Sequence, residues 1–402
     1  MGTHPSSPSK IAASGNLLSD YLKQNRDDVG GQIVNRFGVS EGGLPFLFKV
    51  LSVEKALSIQ THPDKATAEK LHAEQPHIYK GAHKQCGSLR PLTLHTDGNH
   101  KPEMAIALTP FSALCGFLPI NHIASYLEVV PEFAGVIPLV VRERFIASAS
   151  SHTPSSPEAR NALRELFTSL MTAEESQFVP ALEALVERYS KGQVNGTENR
   201  LADLVVRLND QFPGDIGVFC PFVLNYVKLE RGEAIFLGAG EPHAYVSGGR
   251  GLKPKGKRRP DQGFPDIMEC MAASDNVIRA GLTPKLRDVP NLVSSLTYVA
   301  ADAGKHRVRA VPFESCPHTQ LFDPPTPEFS VLQTELGSGN EEVHRELKGP
   351  SITIITKGCC KFEWSGGELE ASTGEVLFVG AETRVKIVGK EEETEVYRAF
   401  VE

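Results

Sequence analysis

Between Leu44 and Pro119 apolar residues alternate or run together, most densely in "LPFLFKVLSV" and "MAIALTPF". This is the pattern of half-buried or fully buried strands separated by turns. One helical interruption, "KATAEKLHAEQ", falls in this stretch, and a short helix is predicted around "NLLSDYLKQ" in the otherwise polar, Gly/Ser-rich first 45 residues. The period then changes. Leu163, Leu166, Phe167, Leu170 and Met171 recur at helical spacing after Ser156-Pro157, an N-cap followed by Pro at the first helical position. Thr172 and Glu175 read as a capping box opening a second helix with Phe178, Leu182, Leu185, Val186 and Tyr189. Leu201, Leu204, Val205 and Leu208 mark a third. After "QFPGDIGVFC" strand patterns return and persist to the end, except for a short helix near "VPNLVSSL".

Within the later β region one motif occurs twice. "GEAIFLGA" at 232–239 and "GEVLFVGA" at 374–381 align without gaps, and extending the alignment sets His243 opposite Val385. The repeat predicts two related β-barrels, only the first of which holds a metal. The expected fold is mainly β with a helical insertion. Residues 1–120 and 213–300 would form a discontinuous metal-binding barrel, 121–212 the helical insertion, and 301–402 a second barrel lacking metal ligands. A chain of 402 residues is long enough for such a division.

Composition narrows the function classes. A formal net charge of −7 argues against a nucleic-acid binder, which needs a basic surface. No apolar run approaches bilayer length, and "MGTHPSSPSK" has no apolar segment of a secretory signal. The 7 cysteines are scattered, with no C-x-x-C pair, and read as reduced thiols of a cytoplasmic protein.

Candidate chemistry lies in the first β region. Gln60 and His62 stand two residues apart at the end of an apolar run, so a strand would point both to one side. Glu103 precedes "MAIAL" and His243 follows "AIFL". Two imidazoles, a carboxylate and an amide oxygen suit a divalent transition ion such as zinc. Taken singly, each also fits an ordinary role. His62 beside Pro63 and His243 after Glu241-Pro242 could be turn residues, Glu103 could pair with Lys101 on a surface, and His100 competes with His62 as a ligand.

Together "LPFLFKVLSVEKALSIQTHPDK", "NHKPEMAIALTPF", "GEPHAY" and "ECMAASDNVIRAGLTPK" resemble the type I mannose-6-phosphate isomerase (phosphomannose isomerase) family over most of the chain. The resemblance implies two cupin-type (jelly-roll) β-barrels with an inserted α-helical domain. It implies one Zn2+ per chain, held by Gln60, His62, Glu103 and His243, and a catalytic arginine at Arg279. Lys49, Ser58, Lys101 and Lys285 match pocket positions whose cations and hydroxyl suit a sugar phosphate, and Tyr245, Glu269 and Asp275 would line the pocket. The activity implied is zinc-dependent interconversion of mannose 6-phosphate and fructose 6-phosphate, supplying mannose for GDP-mannose synthesis and protein glycosylation. A small sugar phosphate would be the partner of a monomer, with no nucleic acid and no membrane.

The chain departs from the family in three places. Family members carry some tens of residues ahead of "MGTHP", including early strands and a Trp-containing segment, whereas the only Trp here is Trp364. Insertions occur near 83–96 and 250–264, the second with six basic residues within 250–259 that read as a solvated loop. Two alternatives therefore stand beside the isomerase: a truncated, inactive sugar-phosphate-binding cupin, and a cupin iron dioxygenase, which would also use two histidines and a carboxylate.

Overall fold

Strand alternation generates the architecture. The computed structural model describes all residues except 6, 40, 41, 76–97, 152 and 247–265. Both insertions noted in the sequence lie outside the described residues. The first barrel is built from β1 (Phe46–Ser52), β2 (Ile59–Thr61), β3 (Glu103–Ala107), β4 (Phe111–Phe117), β5 (Leu224–Leu229), β6 (Ala234–Leu237), β7 (His243–Tyr245), β8 (Asp266–Ala272), β9 (Ile278–Gly281) and the short β10 (Arg307–Val308). They form two antiparallel sheets, ordered β1-β8-β3-β6-β10 and β5-β4-β7-β2-β9. Ala105, Ala107, Ile235 and Leu237 of one sheet meet Ala113, Cys115, Val227 and Tyr245 of the other in a buried interior.

The second barrel follows. It comprises β11 (Val311–Phe313), β12 (Cys316–Phe322), β13 (Ser330–Leu336), β14 (Glu341–His344), β15 (Ser351–Lys357), β16 (Cys359–Trp364), β17 (Gly367–Ser372), β18 (Val376–Val379), β19 (Val385–Gly389) and β20 (Thr394–Phe400). Its sheets run β11-β12-β13-β20-β15-β18 and β14-β19-β16-β17. The repeated octapeptide maps onto β6 and β18, and the His243/Val385 pair onto the starts of β7 and β19. Val385 is packed with Ile387, Phe362 and Val396 in apolar core. The barrels abut through outward-facing side chains: Phe46, Phe48, Met104, Ile106, Met268 and Cys270 of the first meet Phe322, Val331, Ile352, Ile354, Tyr397 and Ala399 of the second. Strands covered on both sides read as continuous apolar runs, which explains the dense patterns of the sequence. α1 (Leu18–Gln24) and α2 (Gly31–Phe37) cover this seam with Leu18, Leu22 and Ile33. α3 (Lys65–Glu74) follows β2, its N-cap Asp64 accepting from the Thr67 amide.

Between β4 and β5 lies the helical block: α4 (Ile120–Val129), α5 (Pro131–Val136), α6 (Leu139–Ser151), α7 (Pro157–Met171), α8 (Glu175–Ser190) and α9 (Ala202–Gln211). Phe133, Leu163, Phe167, Leu185 and Leu208 form a core continuous with Leu114, Ala244, Ile278 and Ala280, the outer face of the second sheet of barrel one. A last helix, α10 (Val289–Ser295), precedes β10. Ser156 caps α7 as predicted, accepting from the Ala159 amide at 3.1 Å. Thr172 does not open α8. It closes α7, with its hydroxyl turned back to the Thr168 carbonyl at 2.8 Å, and the residue before α8 is Glu174 with no side-chain cap. The α7–α8 turn leaves Thr172 inside the preceding helix's hydrogen bonding, so the capping-box spacing is coincidental. The sequence reading also missed α2, a two-turn helix that begins at a glycine.

No helix among the described residues is long and apolar enough to cross a membrane. The second barrel carries one consequence for stability. Burial and the nearby Arg398 lower the His344 imidazole to about 3, against an ordinary 6.5. Between those values the unfolded chain binds a proton that the folded chain refuses, so stability must fall as pH drops below 6.5, by about 1.4 kcal/mol per unit for this group. Denaturant titrations at pH 7 and pH 5 are expected to differ by roughly 2 kcal/mol more in the natural chain than in His344→Gln. Equal pH dependence in both would refute the assignment.

Candidate metal centre

The interior of barrel one collects chemistry by strand period alone. In β3, Met104 and Ile106 face the seam between barrels, so Glu103 faces inward with Ala105 and Ala107. In β8, Met268 and Cys270 face the seam and Glu269 faces inward; in β1, Phe46 and Phe48 do so and Lys49 faces inward. On the opposite sheet Ala244 packs against the helices, leaving His243 and Tyr245 inside, while Ile278 and Ala280 do likewise and turn Arg279 inward. Ile59 faces the helices, so Gln60 points in. Register completes the convergence: Gln60 pairs with His243 on one side and Arg279 on the other, and Lys49 pairs with Glu269.

Glu103 is the hub. Its Oε1 lies 3.3 Å from His62 Nε2 and 3.0 Å from Lys101 Nζ, and its Oε2 lies 3.3 Å from His243 Nε2. The Tyr245 hydroxyl donates to the same Oε2 at 3.5 Å. His62, Glu103 and His243 are each about 1% exposed or less, and their ligand atoms lie within 4.8 Å of one another. The amide of Gln60 comes within 3.5 Å of His243 Nε2, and a half-turn of that amide would present its oxygen instead. Lys49 Nζ meets Glu269 at 2.6 Å beside this group.

Backbone carbonyls orient both imidazoles. His62 Nδ1 lies 2.5 Å from the Asn276 carbonyl and His243 Nδ1 lies 2.9 Å from that of Glu241. A carbonyl only accepts, so each Nδ1 carries the proton and each Nε2 presents a lone pair. Those lone pairs face the carboxylate of Glu103, which also only accepts. His62 Nε2 accordingly has no hydrogen-bond partner although it is buried. Three buried acceptors aimed at one space is the arrangement a cation resolves.

The turn from β6 to β7 is braced as well. The Glu241 carboxylate takes Lys305 Nζ at 2.6 Å and the Thr297 hydroxyl at 3.2 Å, and the Gly116 amide donates to the Pro242 carbonyl at 2.8 Å. Gly116 holds φ +62°, and a Cβ there would fall 2.2 Å from His306 Nε2, so only glycine fits.

Electrostatics follow from burial and neighbours. Burial alone would raise Glu103, but Lys101 and the two imidazoles outweigh it and hold the carboxyl well below its usual range. Burial, then the Lys101 charge, brings His62 down to about 4. Burial and the Glu103 charge raise Glu269, with Lys49 and Lys101 opposing.

Of the residues singled out in the sequence, the structure therefore gathers Lys49, Gln60, His62, Lys101, Glu103, His243, Tyr245, Glu269 and Arg279. Arg279 is half-buried and makes no ion pair among the described residues; the Asp275 carboxylate sits 3.7 Å from His4. Lys285 is exposed and Ser58 half-buried, and neither makes a side-chain hydrogen bond or ion pair to the cluster. His100 does not compete for the centre; it pairs with Glu328 at 2.5 Å. Asn276, Glu241, Thr297 and Lys305 were not found from sequence, because the first two act through main-chain carbonyls that no side-chain pattern reveals.

Two abutting jelly-roll barrels, the first with an inward His-Glu-His set and a helical block inserted between β4 and β5, define a two-barrel cupin protein with one metal-type centre among the described residues. The family-level comparison is more specific. Residues 1–120 match the catalytic domain of phosphomannose isomerase type I, 139–224 its helical insertion domain, and 320–366 its C-terminal region. The mannose-6-phosphate isomerases of Cryptococcus neoformans and Saccharomyces cerevisiae are 42% and 39% identical over 100% of this chain and 88% of theirs. A zinc-bound holo mannose 6-phosphate isomerase superposes with TM-score 0.77 at 30% identity, and a mutant phosphomannose isomerase from Salmonella typhimurium with 0.78 at 29%, each over 100% of this chain and 90% of the other. The chain belongs to the type I phosphomannose isomerase family, a family of enzymes.

Proposed function

We propose that this chain interconverts mannose 6-phosphate and fructose 6-phosphate with one zinc ion per chain, as a cytoplasmic monomer supplying mannose for GDP-mannose synthesis and glycosylation. The ion would be held by His62, Glu103 and His243, with the Gln60 amide oxygen as fourth ligand. The single observation carrying this reading is the orphaned His62 Nε2, facing Glu103 beside a second imidazole of the same fixed tautomer. The donor set of two nitrogens and oxygens suits zinc, and the name of the zinc-bound structural relative supports the same choice. The chain divides for this purpose into a catalytic barrel from 1–120 and 213–308, extended past the boundary expected at 300 because β10 pairs with β6, a helical insertion at 121–212, and a second barrel from 311 onward.

Isomerisation moves a proton between C1 and C2 of the sugar through an enediol. Bound zinc supplies Lewis-acid polarisation of the sugar's carbonyl. The residues supply charge and orientation. Lys101, on the carboxylate of Glu103, and Lys49, on that of Glu269, bring ammonium groups to the barrel interior. Arg279, in register with Gln60 and paired with no carboxylate among the described residues, adds positive charge where the enediolate develops. Ser58, which is half-buried, and Lys285, which is exposed, would contact the phosphate, and Tyr245 and Asp275 would line the path.

Metal analysis combined with a coupled isomerase assay tests the proposal against its alternatives. Zinc with turnover of mannose 6-phosphate is the expected result. Iron with oxygen uptake would indicate the dioxygenase, and sugar-phosphate binding without turnover the inactive cupin; either would refute the proposal. The brace on β7 gives a further expectation. Glu241→Gln or Lys305→Met is expected to weaken zinc binding by about 10- to 100-fold in chelator competition, with Lys305→Arg restoring most of it. Unchanged zinc affinity in both variants would remove the brace from any positioning role.

A further inference from the structure

The second barrel also has a polar interior, and the proposed chemistry makes no use of it. Thr319, Thr334, His344, Ser351, Thr353 and Arg398 are all buried, between the apolar cluster around Ile387 and Val396 and another around Leu332 and Phe400. Arg398 on β20 stands in register with Thr353 on β15. Its Nε donates to Ser351 Oγ at 2.8 Å and its Nη1 to His344 Nδ1 at 3.4 Å. Its Nη2 has no partner, and neither does the Thr353 hydroxyl, although Arg398 is 2% exposed and Thr353 0%.

A guanidinium cannot shed its charge, and among the described residues no carboxylate forms an ion pair with this one. The buried carboxylate of Glu342 is reached only through intermediaries. His344 Nε2 lies 3.1 Å from Thr319 Oγ1, which donates to Glu342 Oε2 at 3.0 Å. Arg345 adds to the local positive field, and Glu402, to which it is paired, opposes it from the same place. An isolated buried cation is among the least favourable arrangements in a protein interior. Water could satisfy the two open hydrogen-bonding groups but would leave the charge. A small anion answers both.

We propose that the second barrel holds a monovalent anion of chloride size against Arg398 Nη2 and Thr353 Oγ1. Full burial of the surrounding side chains excludes anything as large as a sugar phosphate. The two barrels then have complementary interiors: acceptors for a cation in the first, donors for an anion in the second.

Crystals of the full chain grown in sodium bromide are expected to show an anomalous peak within hydrogen-bonding distance of Arg398 Nη2 and Thr353 Oγ1. The melting temperature is expected to rise by several degrees in sodium chloride over sodium gluconate at equal ionic strength, and Arg398→Met to abolish that difference. A water without anomalous signal at this place, or melting indifferent to chloride, would overturn the proposal. Should Arg398→Met fail to fold, the bromide and chloride measurements on the natural chain still decide.

Discussion

His243→Ala is expected to empty the centre of zinc and abolish isomerisation. The imidazole supplies one of three donors converging on a buried space, its ring fixed by the Glu241 carbonyl, and its loss leaves a donor set too small for a tightly held ion. Losing the ion removes several kcal/mol of charge stabilisation, which corresponds to a fall of roughly a thousandfold or more in kcat/KM. The helical block packs on the outer face of that sheet through Ala244 rather than through His243, so circular dichroism should show helix content unchanged. Full zinc occupancy in this variant, measured by atomic absorption, would remove His243 from the centre.

Arg279→Ala should separate binding from chemistry. Arg279 lies on β9 directly across from Gln60, yet among the described residues it makes no hydrogen bond or ion pair to the buried acceptors, so zinc content should stay near that of the natural chain. Turnover should fall by about two to three orders of magnitude, the scale of losing one charged partner of a developing oxyanion. An unchanged kcat would assign the guanidinium to solvation of the barrel mouth.

Much of this was legible in the chain. The i, i+2 spacing of Gln60 and His62 pointed both to one side, and the structure brings both to His243. The doubled octapeptide announced two barrels, and the change from β to helical period marked the inserted block. Motif resemblance, rather than spacing, joined Glu103 and His243 to the first pair, because only the barrel's closure makes such distant positions neighbours. The orientation of the imidazoles was not legible, since Asn276 and Glu241 act through main-chain oxygens shared by every residue type. Nor was the Arg398 layer, whose members look like ordinary strand polars until burial is known. Thr172 shows the reverse hazard, a local motif satisfied on paper and overruled by the preceding helix.

The chain leaves β4 at Phe117 and resumes β5 at Leu224, and these two residues are register partners on adjacent strands. As a path through space, the whole helical excursion begins and ends at one point, so a tight turn could in principle stand in its place. Excising it would nevertheless strip the cover from Leu114, Ala244, Ile278 and Ala280, leaving a broad oily wall open to self-association. The block is dispensable to connectivity and indispensable to solubility, and a minimal version of this enzyme would have to repaint that wall before it could discard the helices.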